Sequence, residues 1–167
     1  KLRVPGNLMC MACHGTTLTN GAPRIDLATH SHHKPDTTGD LCTDCHMPTT
    51  VYMQRHPRHD HGFTVPDPRL TKELGIPNAC NRCHTNQTPD WSLEAMNKWY
   101  GPRTNELMRT RATAIAKARA GDAAAVPTLV QMSAGETNFF WRAVAANLLQ
   151  PWSAEPAVTA ALLRAAG

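Results

Sequence analysis

The pattern C-x-x-C-H occurs three times, as CMACH at Cys10–His14, CTDCH at Cys42–His46 and CNRCH at Cys80–His84, and these copies use all six cysteines. Thiols three positions apart fall on one side of a helical turn. There they can add to the two vinyl groups of a haem, and the adjacent histidine becomes an axial ligand of its iron. Paired cysteines otherwise signal zinc or a redox dithiol. Zinc ribbons take cysteine pairs in twos, and three pairs leave one unmatched. Histidine also follows the second cysteine every time. At the chain's own histidine frequency, 9 in 167, chance gives that result roughly 2 times in 10,000. The expected cofactors are therefore three covalently attached haem c groups. Their thioethers fall on Cys10, Cys13, Cys42, Cys45, Cys80 and Cys83, and His14, His46 and His84 are the proximal iron ligands.

Six histidines remain: His30, His32 and His33 in THSHHKP, and His56, His59 and His61 in RHPRHDHGF. Three distal positions need filling, so bis-histidine coordination throughout is the economical reading. His61 follows an aspartate able to orient a ring nitrogen. His30 and His33 sit three apart on one turn, while His32 and His33, as neighbours, diverge toward different haems. The candidates favoured as distal ligands are His30, His33 and His61. Methionine is the rival ligand, with Met9, Met11, Met47 and Met53 close to the motifs. Met47 directly follows a proximal histidine and cannot reach the far face of the same haem, so these methionines are read as packing groups.

Composition divides the chain near Pro89-Asp90-Trp91. Residues 1–90 hold every cysteine and histidine and nine of the thirteen prolines, while 91–167 hold nineteen alanines and neither cysteine nor histidine. The first segment has only Tyr52 and Phe63 as aromatics, too few for a conventional core. Large flat apolar cofactors would supply the missing bulk, and without them this half should be unfolded or molten. Pro5, Pro23, Pro35, Pro48, Pro57, Pro66, Pro68 and Pro77 interrupt any long element, which leaves a helical turn at each motif and little else regular. The expected fold is all-α with much irregular structure: a haem-organised domain over 1–90, then a short α-solenoid of HEAT-like helix pairs over 91–167. The solenoid reading rests on a repeat of apolar positions. Leu107, Met108, Ala112, Ile115 and Ala116 return 33 residues later as Phe140, Trp141, Ala145, Leu148 and Leu149. Breaks at Gly121-Asp122 and at Gln150 to Ser153 separate the helices. Asp90 is the expected N-cap of a helix starting at Trp91.

The formal charge is +4. Three haems would add up to about −6 from their propionates, so the basic chain gives no argument for nucleic acid. No apolar stretch reaches the 18 or so residues that a membrane span requires. The chain begins at Lys1 rather than methionine, as processed chains do. Because haem is attached to C-x-x-C-H outside the cytoplasmic membrane, a periplasmic or extracellular location is expected.

The succession HHKP, CTDCHMP, RHDHGF, VPDPRL, LGIPNACNRCH and DWSLEAMNKWYGPR resembles a family of bacterial multihaem cytochromes c with C-terminal HEAT or tetratricopeptide-like helical repeats. The likeness covers residues 30–102 closely and the alanine-rich repeats in style. It implies electron transfer, bis-histidine haems and export, and the pattern carried by His30, His33 and His61 recurs in that family. Such proteins usually carry a further haem motif upstream and further repeats downstream. One expectation is thus a longer parent chain in which a distal histidine serves another haem.

Together these features predict an electron carrier, not an enzyme. It would pass single electrons between redox partner proteins, and its helical repeats would contact other cytochrome subunits. The alternative is a reductase of a small nitrogen or sulfur oxyanion, which needs one haem with an open position.

Overall fold

The computed structural model describes residues 4, 6–15, 21–102 and 105–166; Lys1, Pro5 and Arg103, named above, lie outside them. The described residues are predominantly helical, with one two-stranded hairpin. No helix among them is long and apolar enough to cross a membrane. Contacts divide the chain into two compact units, Lys1–Pro102 and Arg103–Gly167.

In the first unit each C-x-x-C-H forms about one helical turn: α1 (Leu8–His14), α3 (Cys42–His46) and α5 (Ala79–Cys83), with α2 (Leu27–His30) between the first two. More is regular than the prolines suggest. α4 (Pro68–Leu74) begins on one of them, because proline at the first helical position loses no hydrogen bond. Asp67 caps α4, accepting from the Arg69 amide at 3.1 Å. Gly75, at φ +70°, closes the other end in the left-handed region that glycine enters without strain. Strand β1 (Thr49–Tyr52) pairs antiparallel with β2 (His56–His59), Thr49 opposite His59 and Tyr52 opposite His56. The turn between them holds Met53 and Gln54 at φ +48° and +63°. Neither is the glycine or asparagine that marks such turns in sequence.

α6 (Pro89–Tyr100) packs on α4 and α5. Its cap is Thr88, whose Oγ1 accepts from the Trp91 amide at 3.2 Å, and its first residue is Pro89. This corrects the expectation of an Asp90 cap. Asp90 instead lies in the first turn and pairs with Lys72 at 2.7 Å on the surface. The contact division falls one helix beyond the change in composition. α6 carries no cysteine or histidine, yet its neighbours are the elements around the third motif.

The second unit consists of α7 (Glu106–Arg119), a 3-10 turn (Ala123–Ala125) and α8 (Val126–Gly135), then α9 (Phe139–Leu148), a 3-10 turn (Gln150–Trp152) and α10 (Pro156–Ala166). The helix breaks coincide with those read from the sequence. Asp122 accepts from the Ala124 amide at 2.9 Å and starts the first 3-10 turn. Leu129, Ala145, Leu149 and Val158 are fully buried and form the centre of one core with Ala114, Ala125, Val126 and Met132. Each large aliphatic side chain so buried contributes about 1.5–3 kcal/mol. In α7 the most buried position is Ala114, outside the repeated positions, and Leu107 and Phe140 are exposed. Arg111 closes the unit's edge with a two-pronged ion pair to Glu136, Nε–Oε1 2.7 Å and Nη2–Oε2 2.6 Å, and lies over the Trp141 ring at 5.1 Å.

Burial is uneven between the units. Among the described residues of the first, the buried hydrophobic side chains are Met47, Leu70 and Ala79; the second buries nine, including Leu129, Leu149 and Val158.

Candidate functional site

Each motif turn is placed by polar groups beside it. Asn7, next to α1, accepts the Cys42 amide at 2.8 Å and donates to the Asp40 carbonyl at 3.0 Å, so the first motif is tied to the second. Asn78 caps α5 through the Asn81 amide at 3.0 Å and donates to Thr71 Oγ1 at 2.7 Å. Asn81, inside CNRCH, donates to the Gln87 carbonyl at 2.9 Å and accepts from the fully buried Ser92 hydroxyl at 2.9 Å. Asp44, inside CTDCH, accepts the Gly39 amide at 3.0 Å. Residues between the paired cysteines thus fasten the second and third motifs to their surroundings, and Asn7 does so for the first.

The cysteines of different motifs are neighbours. Burial pushes the Cys42 thiol up to about 11, with the adjoining Cys10 adding to the effect. Burial likewise holds Cys45 at about 11, with Cys80 and Cys83 close by, and raises Cys80. The middle motif therefore lies against both others. Zinc ligation and dithiol exchange use the thiolate, which lowered pKa values favour. Burial of Cys42, Cys45 and Cys80 disfavours that form.

Two of the three motif histidines meet a second histidine, and among the described residues no such ring contact is found for His14. The rings of His30 and His46 lie 6.1 Å apart at 11°, and those of His33 and His84 lie 6.2 Å apart at 36°. Two imidazoles ligating one metal from opposite sides, each nitrogen about 2 Å from it, have ring centres roughly 6 Å apart. The turn after α2 thus sends two histidines, three residues apart, to two different motifs. His30 and His33 do not share a direction because the chain leaves the helix at Ser31 and His32 adopts φ +54°. His32 is exposed and stacks on Trp99 at 4.6 Å and 8°.

Ring orientation is fixed through Nδ1. That nitrogen donates to a backbone carbonyl in His14 (Pro23, 2.9 Å), His33 (Ser31, 2.7 Å) and His46 (Thr64, 3.0 Å). A carbonyl only accepts, so Nδ1 carries the proton and Nε2 is left for a metal, the usual arrangement around ligating histidines. His59 shows the same bond, to the Met47 carbonyl at 2.7 Å, and so pins β2 beside the second motif. His61 lies exposed beyond β2, and among the described residues no ring contact joins it to a motif histidine. His56 is exposed on β2. Met47 is buried, while Met53 is exposed at the hairpin turn.

These residues fit haem on three counts. The donor set is paired imidazoles at the spacing of opposed ligands. Gly39, at φ +94°, backs the His33 ring so closely that a Cβ would stand 2.7 Å from Cδ2 and 2.8 Å from Nε2. The first unit also presents Leu8, Leu41, Phe63, Val65, Ile76 and Trp91 at its surface, apolar area suited to a large apolar group. Sequence reasoning missed the roles of Gly39, Trp91, Trp99 and Tyr100. Asn78 was readable, since asparagine just before a helical turn is an N-cap signal. Compared with family models, curated proteins and solved structures, the chain has no match.

Proposed function

We propose that this chain is a triheme c-type cytochrome that carries single electrons between redox partners outside the cytoplasm. The observation that carries the reading is the double pairing of a motif histidine with a histidine from one upstream turn, His46 with His30 and His84 with His33. Cys10 and Cys13, Cys42 and Cys45, and Cys80 and Cys83 anchor the three groups. His14, His46 and His84 hold them from the motif side, and His30 and His33 from the other. His61 is the remaining candidate for a distal position. Haem c, when bound, supplies a one-electron iron couple, and two imidazole ligands set it low.

The protein's own part is to fix the rings and to order the three groups. Bonds from Nδ1 to the Pro23, Thr64 and Ser31 carbonyls hold each imidazole's rotation and raise its basicity. The second motif adjoins the first through Asn7 and the third through Cys45, so the groups are held in series. The resemblance to multihaem cytochromes with helical repeats supports the same reading and an exported location. The second unit, two helix pairs with Phe139, Phe140 and Leu163 at the surface, is the proposed contact with partner cytochromes.

Intact mass of the matured protein, together with reduced visible and oxidised paramagnetic resonance spectra, tests the reading. Three haem additions and low-spin signals are expected. A chain that leaves haem-maturing cells without added mass would refute it.

A further inference from the structure

α6 touches both sides of one histidine pair. Near its start, the Trp91 ring lies 4.8 Å from His84, and Ser92 bonds to Asn81 within the third motif. Two turns on, Trp99 stacks on His32 and meets the His33 ring edge-on at 6.4 Å. Beside it the Tyr100 hydroxyl donates to the backbone carbonyl of His30, and its ring lies 5.7 Å from that imidazole. From Trp91 to Trp99 is about 12 Å of helix at 1.5 Å per residue. A capped, hydrogen-bonded helix does not stretch over that length.

The turn at the far end needs such a support. α2 has four residues, well below the length at which a helix holds itself. His32 and Asp36 both sit at positive φ, each costing about 1 kcal/mol. Local bonds from Ser31 to Asp40 and from Thr37 to Lys34 shape the loop. Neither attaches it to the third motif, whereas α6 does.

We propose that α6 is a strut that positions both distal histidines: Trp99 seats His33 opposite His84, and Tyr100 seats His30 opposite His46, while Trp91 and Ser92 anchor the other end. The inference rests on the haem reading above. Trp99 and Tyr100 are positioning residues, acting through the turn rather than on the iron. Their division of labour is specific, since each neighbour serves a different haem.

The test uses the fully matured protein and carbon monoxide, which binds reduced haem only where a ligand has left. In Trp99→Ala the ligand-detached fraction of the haem held by His84 rises about fivefold, equivalent to ~1 kcal/mol of lost seating, and the paramagnetic resonance signal of that haem changes. Trp99→Phe, which keeps a ring against His32, binds carbon monoxide as the parent does. Tyr100→Phe removes one hydroxyl without disturbing packing and shifts the signal of the other haem, held by His46. Parent protein without three haems defeats the underlying reading. Parent protein with three haems, and both Trp99→Ala and Tyr100→Phe indistinguishable from it, overturns the strut alone, as does a Trp99→Phe chain that loses its ligand as Trp99→Ala does.

Discussion

On the proposed haem reading, replacing Gly39 with alanine should detach one axial ligand while leaving the rest of the protein folded. The new Cβ would lie 2.7 Å from His33 Cδ2, 2.8 Å from Nε2 and 3.1 Å from Cγ. Carbon atoms rest at about 3.5 Å, so the ring or the backbone must give by roughly 0.8 Å. The backbone is held, because the Gly39 amide donates to Asp44 and the next residue, Asp40, is bonded to Thr37, Ser31 and Asn7. The ring therefore moves, against its own bond to the Ser31 carbonyl. Alanine at φ +94° adds about 1–2 kcal/mol of backbone strain, and an off-rotamer imidazole about 1 more. A liganding site tolerates about 0.5 Å of misplacement, so His33 leaves its position opposite His84. The assay is the high-spin signal of the oxidised protein, read beside the melting temperature. Gly75→Ala is the control: its φ is +70° and a Cβ there meets nothing within 4 Å. It should lower the melting temperature through strain alone and keep the parent spectrum. A low-spin Gly39→Ala protein, or the same spectral change in Gly75→Ala, would refute the reasoning.

Other consequences are open to direct measurement. Leu129→Ala empties the centre of the second unit and should cost about 3 kcal/mol in denaturant unfolding followed by Trp141 and Trp152 fluorescence. The Arg111 guanidinium holds the Glu136 carboxyl below its ordinary value. Its contribution to stability is thus fully present above the unfolded value of about 4.3 and is lost as pH falls through the lowered folded one. Glu136→Gln should cost ~2 kcal/mol at neutral pH, with parent and variant converging in acid. A chain made without haem attachment should show amide-exchange protection only within 105–166, because the first unit buries so few hydrophobic side chains; protection across the first three helices would contradict this.

Much of this was legible because cysteine spacing, proline placement and capping residues act locally. The three motif turns, the breaks at Gly121-Asp122 and Gln150 to Ser153, and the helical second segment all follow from neighbouring residues. The hairpin was not legible, because Met53 and Gln54 enter the left-handed region without the residue types that announce it. The different directions of His30 and His33 depend on the helix ending at Ser31 and on the positive φ at His32. The membership of α6 in the first unit depends on its packing against α4 and α5 and on the ring contacts of Trp99 with His32 and His33, which a change of composition at Trp91 does not reveal. Gly39 reads as an ordinary loop glycine until the ring behind it is in place.

The turn bearing His30 and His33 comes earlier in the chain than either of the histidines it faces, by 16 and 51 residues. A polypeptide emerging N-terminus first would therefore present these two imidazoles behind the Cys10–His14 motif before their own partners exist. On the proposed reading, premature ligation is the nearest available mistake. Release from such a mistake would add a step to maturation, so the chain's order of synthesis would enter its folding barrier.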